Sequence, residues 1–126
     1  MGSMMNKSEI EKWLKKYGIE NYTIHDNLVV DVNGDVYLCN KILTELPFQF
    51  GNVTGYFHCS NNKLTSLQYC PASVDGSFYC FDNPFIVTKE NESNWLEAIK
   101  HHKKVYSHIK EPTEGLINFY KLLYEV

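Results

Sequence analysis

Residues 32–85 read VNGDVYLCNKILTELPFQFGN (32–52), VTGYFHCSNNKLTSLQYCPAS (53–73) and VDGSFYCFDNPF (74–85), a pattern that repeats every 21 residues. Each copy begins Val-x-Gly and places an apolar residue two and four positions after the glycine. The period never slips by one residue, which indicates three units that stack on one another. A chain built in this way generally works by presenting a surface.

Each unit contains a strand pattern followed by a turn and an extended return. The paired apolar residues of the strand lie two apart, as a half-buried strand requires: Val36 and Leu38, Phe57 and Cys59, Phe78 and Cys80. LTxL steps follow in the first two units, and Pro47 and Pro71 favour an extended return over a helix. We therefore expect one small parallel sheet.

The segment before the repeats predicts a helix and a hairpin. Ser8 and Glu11 have capping-box spacing, apolar residues then follow at helical spacing, and Gly18 ends the pattern. Residues 22–24 and 28–32 are typical of two strands joined by a turn at 25–27. We expect the helix at 6–18 to cover one open end of the stack.

The segment after the repeats has a helical period. Trp95, Ile99, His102, Tyr106 and Ile109 lie at helical spacing, and Pro112 ends that pattern. Residues 93–126 therefore predict C-terminal helices, which either cap the stack or reach a partner. The predicted organisation is α+β, with an expression remnant at 1–5 and a single domain at 6–126 that holds the hairpin and repeats at 22–87.

The repeated line that runs through Phe57, Cys59, Asn62, Leu64 and Leu67 resembles the leucine-rich repeat, and the third copy keeps Phe78, Cys80, Asn83 and Phe85. The short unit and its LTxL steps are similar to repeats of secreted bacterial effectors. The leader WLKKYGIENYTI with the VxGxFxC units resembles small repeat proteins of bacteriophages. Two departures stand out, since Lys41 replaces the first asparagine and the third unit lacks an LTxL step, which predicts that the stack ends there.

That resemblance implies a short solenoid that binds proteins, and the lack of a catalytic motif in the sequence predicts that it is not an enzyme. The sharper hypothesis is a phage protein that binds and inhibits a host defence or regulatory protein in the bacterial cytoplasm. The alternative is a structural protein that self-assembles, dimerising through the edge of the solenoid or through its terminal helices.

Composition narrows the class of partner. All 12 basic residues are lysine. Because arginine is the usual residue for bidentate contacts to bases and phosphates, its absence argues against a protein that recognises specific nucleic-acid sequences. Between Gly18 and Glu92 three lysines stand against nine carboxylates, so a basic protein surface is the expected partner. No membrane-spanning run and no secretory leader is present in the sequence, which predicts a soluble cytoplasmic protein.

The alternation of the strands predicts the binding residues. If the paired apolar residues point inward, their neighbours point outward in columns about 4.8 Å apart. Tyr37, His58 and Tyr79 form the central column. Asp35 and Tyr56 belong to a second column with Ser77, and Phe81 to a third with Cys39 and Ser60. Aromatic surfaces of this kind are typical of interfaces, and the competing interpretation is that solvent or the C-terminal helices cover the face.

The four cysteines have no metal-binding spacing, so we expect neither a metal nor a cofactor. Cys59 and Cys80 share the position of Leu38 and are predicted in the core, as is Cys70, whereas Cys39 is predicted at the surface. Lys100–Lys104 is the one basic cluster, and its residues point all round a helix. No catalytic motif was found in the sequence.

Overall fold

The computed structural model describes residues 5–84, 93 and 104–106. Helix α1 (Lys7–Lys16) comes first. The strands that follow are β1 (Tyr22–Ile24), β2 (Val30–Val32), β3 (Val36–Tyr37), β4 (Phe50–Val53), β5 (Phe57–His58), β6 (Ser73–Val74), β7 (Ser77–Tyr79) and β8 (Lys104–Tyr106). The molecule is a mixed α+β structure.

Helix α1 is fixed at both ends by hydrogen bonds that its sequence supplies. The capping box is formed by Asn6 and Glu9, not by Ser8 and Glu11 as predicted, and the helix lies within the predicted range of 6–18. At the other end Gly18 has a φ of 69°, and its N–H donates to the Lys15 carbonyl while the Ile19 N–H donates to the Leu14 carbonyl. This Schellman geometry confirms that the helix ends at Gly18.

The helix packs one apolar side onto the strands. Ile10 and Leu14 are fully buried, and the Trp13 ring meets Phe48 edge-on with 5.2 Å between centroids. Met5, the last residue of the predicted remnant at 1–5, also packs against this core. Helix α1 therefore closes the N-terminal end of the core, as expected.

Every unit adds one strand to each of two sheets. The first sheet has the order β1-β2-β4-β6, and the second has the order β3-β5-β7-β8. The predicted hairpin is present, because β1 pairs antiparallel with β2. The remaining neighbours are parallel, with partners such as Val53 and Val74 or Phe57 and Phe78 lying 21 residues apart. The prediction of a single small sheet was wrong. The strands that end at the valine of each Val-x-Gly motif belong to the first sheet, and the strands that follow the glycine belong to the second.

A column of glycines forms the corner between the two sheets. The Gly55 N–H donates to the Gly34 carbonyl at 2.9 Å, and the Gly76 N–H donates to the Gly55 carbonyl at the same distance. A Cβ on Gly55 would lie 2.7 Å from the Gly34 oxygen and would collide with the Asp35 carboxylate. At Gly55 and Gly76 the backbone of the preceding unit lies too close for any side chain, whereas Gly34 has open space around it and a φ of 148° that favours glycine.

The turns that follow the second-sheet strands repeat as well. Asn40, Asn61 and Asp82 have φ values of 58°, 55° and 55°. Short polar side chains tolerate this left-handed conformation better than most residues do. The polar residue at this position therefore supports the turn conformation. The residue that follows it in the chain is available for contacts with another unit.

That neighbouring position holds a buried asparagine which joins one unit to the preceding one. Asn62 donates to the carbonyls of Leu38, Cys59 and Ser60 and accepts from the N–H groups of Lys41 and Leu43, at 2.7–3.1 Å. Asn83 makes the equivalent bonds one unit later, with acceptors that include Cys59 and with Leu64 as donor. The first unit has no repeat unit before it, which explains why exposed Lys41 replaces asparagine there.

Strand β8 corrects the prediction for the C-terminal part. Residues 104–106, including Tyr106, form a strand whose backbone pairs in parallel with β7, so the predicted helix is wrong at this point. The second sheet thus gains a strand after the third unit, where the sequence predicted the stack to end. Trp95, Ile99, His102, Ile109 and Pro112, and most of 93–126, lie outside the described residues.

Candidate functional site

The short strands of the second sheet alternate between the core and the outer face. Val36, Phe57 and Phe78 are buried, with at most 1% of their surface exposed. Tyr37, His58 and Tyr79 alternate with them and form one outward column, as predicted. Ring centroids are 5.3 Å apart between Tyr37 and His58 and 4.9 Å between His58 and Tyr79. The 21-residue period places these rings in contact.

Two further aromatic residues widen this column into a surface. Tyr56 lies 6.4 Å from His58 and 6.5 Å from Tyr79, whereas Phe81 lies 5.9 Å from His58 and 6.5 Å from Tyr79. We call the five residues Tyr37, Tyr56, His58, Tyr79 and Phe81 the aromatic face. All are partly or largely exposed, so their rings offer apolar contact area as well as contacts with one another.

His58 lies at the centre of the aromatic face and contacts the other four rings. Burial lowers the pKa of His58 below its ordinary value. Its Nε2 atom is buried and has no hydrogen-bond partner among the described residues. A neutral imidazole fits this environment, because a protonated ring would need a partner for Nε2.

Tyr37 is the most exposed ring of the aromatic face, with 50% of its surface accessible. A hydrogen bond with the Cys39 side chain is the main cause that raises the pKa of Tyr37, so its phenol stays protonated. Only one side of the ring packs on His58. The outer end of the central column is therefore open to a partner.

Asp35 was predicted to bind a partner, and the structure gives its carboxylate a role within the fold. One oxygen of Asp35 accepts from the N–H of Tyr56 at 2.9 Å, which joins the first unit to the second. Asp31 does the same for the N–H of Asn52 at 2.8 Å. Asp35 is nevertheless exposed, so the carboxylate contributes negative charge beside the aromatic face.

The third predicted column differs from expectation. Cys39 is only 7% exposed and Ser60 is fully buried, so the prediction that Cys39 lies at the surface was wrong. Of this column only Phe81 reaches the aromatic face. The residues that follow the strand turn toward the polar corner of the unit, where Asn61 and Asn62 bind backbone and thiol groups.

The other thiols are mainly structural. Cys59 and Cys80 are fully buried one above the other, as predicted, whereas Cys70 is partly exposed. The hydrogen bond with the Cys70 thiol, together with burial, raises the pKa of Cys59 well above its ordinary value. A thiol that stays protonated is a poor nucleophile. In residues 5–84 and 104–106 the structure shows no cluster of three or more His, Cys, Asp or Glu side chains suited to a metal ion.

One exposed apolar residue was not singled out from the sequence. Ile42 is 72% exposed and has a φ of 57°, a conformation that is unusual for a β-branched residue. The corresponding positions of the next units hold Lys63 and Pro84. That difference between units was a signal that could have identified Ile42.

The aromatic face can accept aromatic, apolar or cationic side chains. Its partly exposed rings provide flat apolar area with π-faces, and Asp35 supplies a nearby negative charge. No family model, curated protein or solved structure matches this chain. In the part of the chain that the structure describes, no helix is both long and apolar enough to cross a membrane.

Proposed function

We propose that this chain is a short solenoid of the leucine-rich-repeat type that binds another protein through the aromatic face. The observation that supports this most directly is the contiguous set of five partly exposed rings on the outer side of the second sheet. Tyrosine-rich surfaces provide large contact area at a low cost in side-chain entropy, which is why they recur at interfaces.

The fold type is part of this proposal. Units of 21 residues, a parallel ladder between them and a buried asparagine that binds the preceding turn all support the leucine-rich-repeat interpretation. The sharper form is a phage-encoded protein that inhibits a host defence or regulatory protein in the bacterial cytoplasm. That form rests on the resemblance of the VxGxFxC units to small phage repeat proteins.

The charge of the repeat region supports a basic partner surface. Residues 18–84 contain two lysines and seven carboxylates. Charges of this sign accelerate association with a positively charged protein and disfavour acidic competitors.

Alanine substitution of the central column tests the proposal. The triple variant Tyr37→Ala, His58→Ala, Tyr79→Ala should lose the protein that wild type captures from host lysate, because the apolar contact area is removed while the core is kept. The matched control is Thr44→Ala, Thr65→Ala, Gln68→Ala, three exposed positions on the return segments. Capture that survives in the first variant, shown by circular dichroism to be folded, contradicts the proposal.

Self-association is the second candidate function. The observation that favours it is that Tyr37 and Ile42, the two exposed large apolar residues among those that the structure describes, belong to the same unit. Analytical ultracentrifugation separates the two functions, since a monomer at every concentration tested rules out self-assembly.

A further inference from the structure

The two sheets end differently on their N-terminal side. The first sheet ends in β1, an antiparallel strand that the N-terminal segment adds next to β2. Among the described residues, β3 is the outermost strand of the second sheet and pairs with β5 alone. The described part of the N-terminal segment thus covers the core and extends the first sheet, and it adds no strand beside β3.

The hydrogen bonds between β3 and β5 determine which backbone N–H and C=O groups of β3 point toward the open edge. The Val36 N–H donates to the Tyr56 carbonyl at 2.9 Å, and the Leu38 N–H donates to the His58 carbonyl at 2.7 Å. Successive residues of a strand direct their N–H and C=O groups to opposite sides, so those of Tyr37 point away from β5. A strand placed beside β3 would therefore find a donor and an acceptor at Tyr37.

The side chains at the same edge indicate which residue types an added strand should have. A residue in register with Tyr37 would continue the central column about 4.8 Å beyond it. The Tyr37 ring is half exposed there, Asp35 is exposed two residues away, and carboxylates outnumber lysines in residues 18–84. Lysine or arginine at that position could contact the ring through a cation–π interaction and offset the negative charge.

We propose that the partner contributes an extended basic segment, which adds to the second sheet beside β3 and places a lysine or arginine in register with Tyr37. This inference rests on the proposed function, because the aromatic face would receive the rest of the same partner. A second copy of this chain suits the edge less well, since it would bring the same acidic excess against itself. Main-chain pairing supplies the affinity in such complexes, and alternate side chains supply the specificity.

A synthetic peptide tests the edge without knowledge of the natural partner. The probe is Thr-Val-Thr-Arg-Val-Arg-Thr-Val-Thr, titrated into ¹⁵N-labelled protein, with the Tyr37 amide as the NMR reporter. We expect saturable binding that shifts this amide. N-methylation of the three central peptide nitrogens should weaken binding at least tenfold, because it removes donors and keeps the charge. Glutamate in place of both arginines should weaken it similarly.

Protein variants complete the test. Tyr37→Lys adds a like charge at the edge and should abolish binding of the arginine peptide, whereas Thr23→Lys, at the exposed central residue of β1, should not. Tyr37→Pro removes the outward N–H and leaves the donors of Val36 and Leu38 in place, so it should also weaken binding if its thermal unfolding shows a folded protein.

Three results would overturn the inference: no binding of the arginine peptide, equal binding of its N-methylated form, or shifts that map away from Tyr37. A fourth would be a dimer, detected by ultracentrifugation, whose formation shifts the Tyr37 amide. None of these results touches the capture of the natural partner by the aromatic face, which the triple alanine variant judges separately. The experiments therefore distinguish a failure of strand addition beside β3 from a failure of partner binding by the aromatic face.

Discussion

At the scale of single residues, the side chain of Asn62 makes more hydrogen bonds than any other side chain in the part of the chain that the structure describes. Replacement by alanine leaves two N–H groups and three carbonyls without this partner in a buried turn. We expect Asn62→Ala to lower the free energy of unfolding by about 3 kcal/mol or more, since each unsatisfied buried polar group costs roughly 1–3 kcal/mol. Urea denaturation measures this loss.

The control for Asn62 is its exposed neighbour. Lys63→Ala leaves the Lys63 N–H bond to the Leu43 carbonyl unchanged and should alter stability by less than about 0.5 kcal/mol. Equal losses in the two variants would contradict the role assigned to the asparagine.

The lowered pKa of His58 predicts that the stability of the fold depends on pH. Its pKa in the fold is below that in the unfolded chain, so the unfolded state binds more protons as pH falls through about 6.5, and stability decreases in that window. The groups that surround its ring belong to Tyr37, Tyr56, Tyr79 and Phe81. The urea midpoint of wild type should therefore fall between pH 7.5 and pH 5.5, and His58→Gln should reduce that fall.

The variant His25→Gln is the control for this pH effect, because it leaves His58 in place. It should keep the His58-dependent fall in the midpoint. A midpoint that falls equally in wild type and His58→Gln would show that other groups cause the pH dependence.

The repeat period made the outward column predictable at the residue scale. Tyr37, His58 and Tyr79 lie where the alternation placed them, because a strand pair fixes which residues point outward. Cys39 was not predictable in this way, since the chain leaves the strand there and Asn40 takes a left-handed turn. Alternation holds only as long as the strand continues.

At the scale of elements, helix α1 closes the N-terminal end of the core. Leu14 is fully buried against the strands, and truncation would leave a cavity. We expect Leu14→Ala to cost about 2–5 kcal/mol, measured by urea denaturation. Exposed Lys15→Ala should change stability little, and a comparable loss in both variants would mean that the helix itself, rather than its buried side chain, carries the effect.

Helix α1 and the β1–β2 hairpin were predictable because their signals are local. Caps, helical spacing and a turn lie within a few residues of each other. The division of the strands into two sheets was harder to predict, because strands of two to four residues are too short to show a clear alternating pattern. The same applies to β8, whose backbone pairs with β7 between residues distant in the sequence, such as Ser77 and Lys104, so that no local pattern encodes it.

At the scale of the whole molecule, the reactivity of the thiols reports opening of the stack. Cys39, Cys59 and Cys80 are buried and Cys70 is partly exposed. In native buffer we expect one thiol at most, Cys70, to react rapidly with Ellman's reagent, and all four to react in guanidinium chloride. Cys70→Ser is the control and should remove the rapid phase; rapid reaction of a second thiol would contradict the packing of Cys39.

The asparagine turns also give the molecule a direction. Asn62 completes the hydrogen bonds of the unit before it, and Asn83 completes those of the unit that contains Asn62. A chain that leaves the ribosome from its N-terminus must therefore finish each turn only after the next asparagine has emerged. Assembly then trails synthesis by one unit, and a chain cut after Ser73 would keep a satisfied first turn and an unfinished second one.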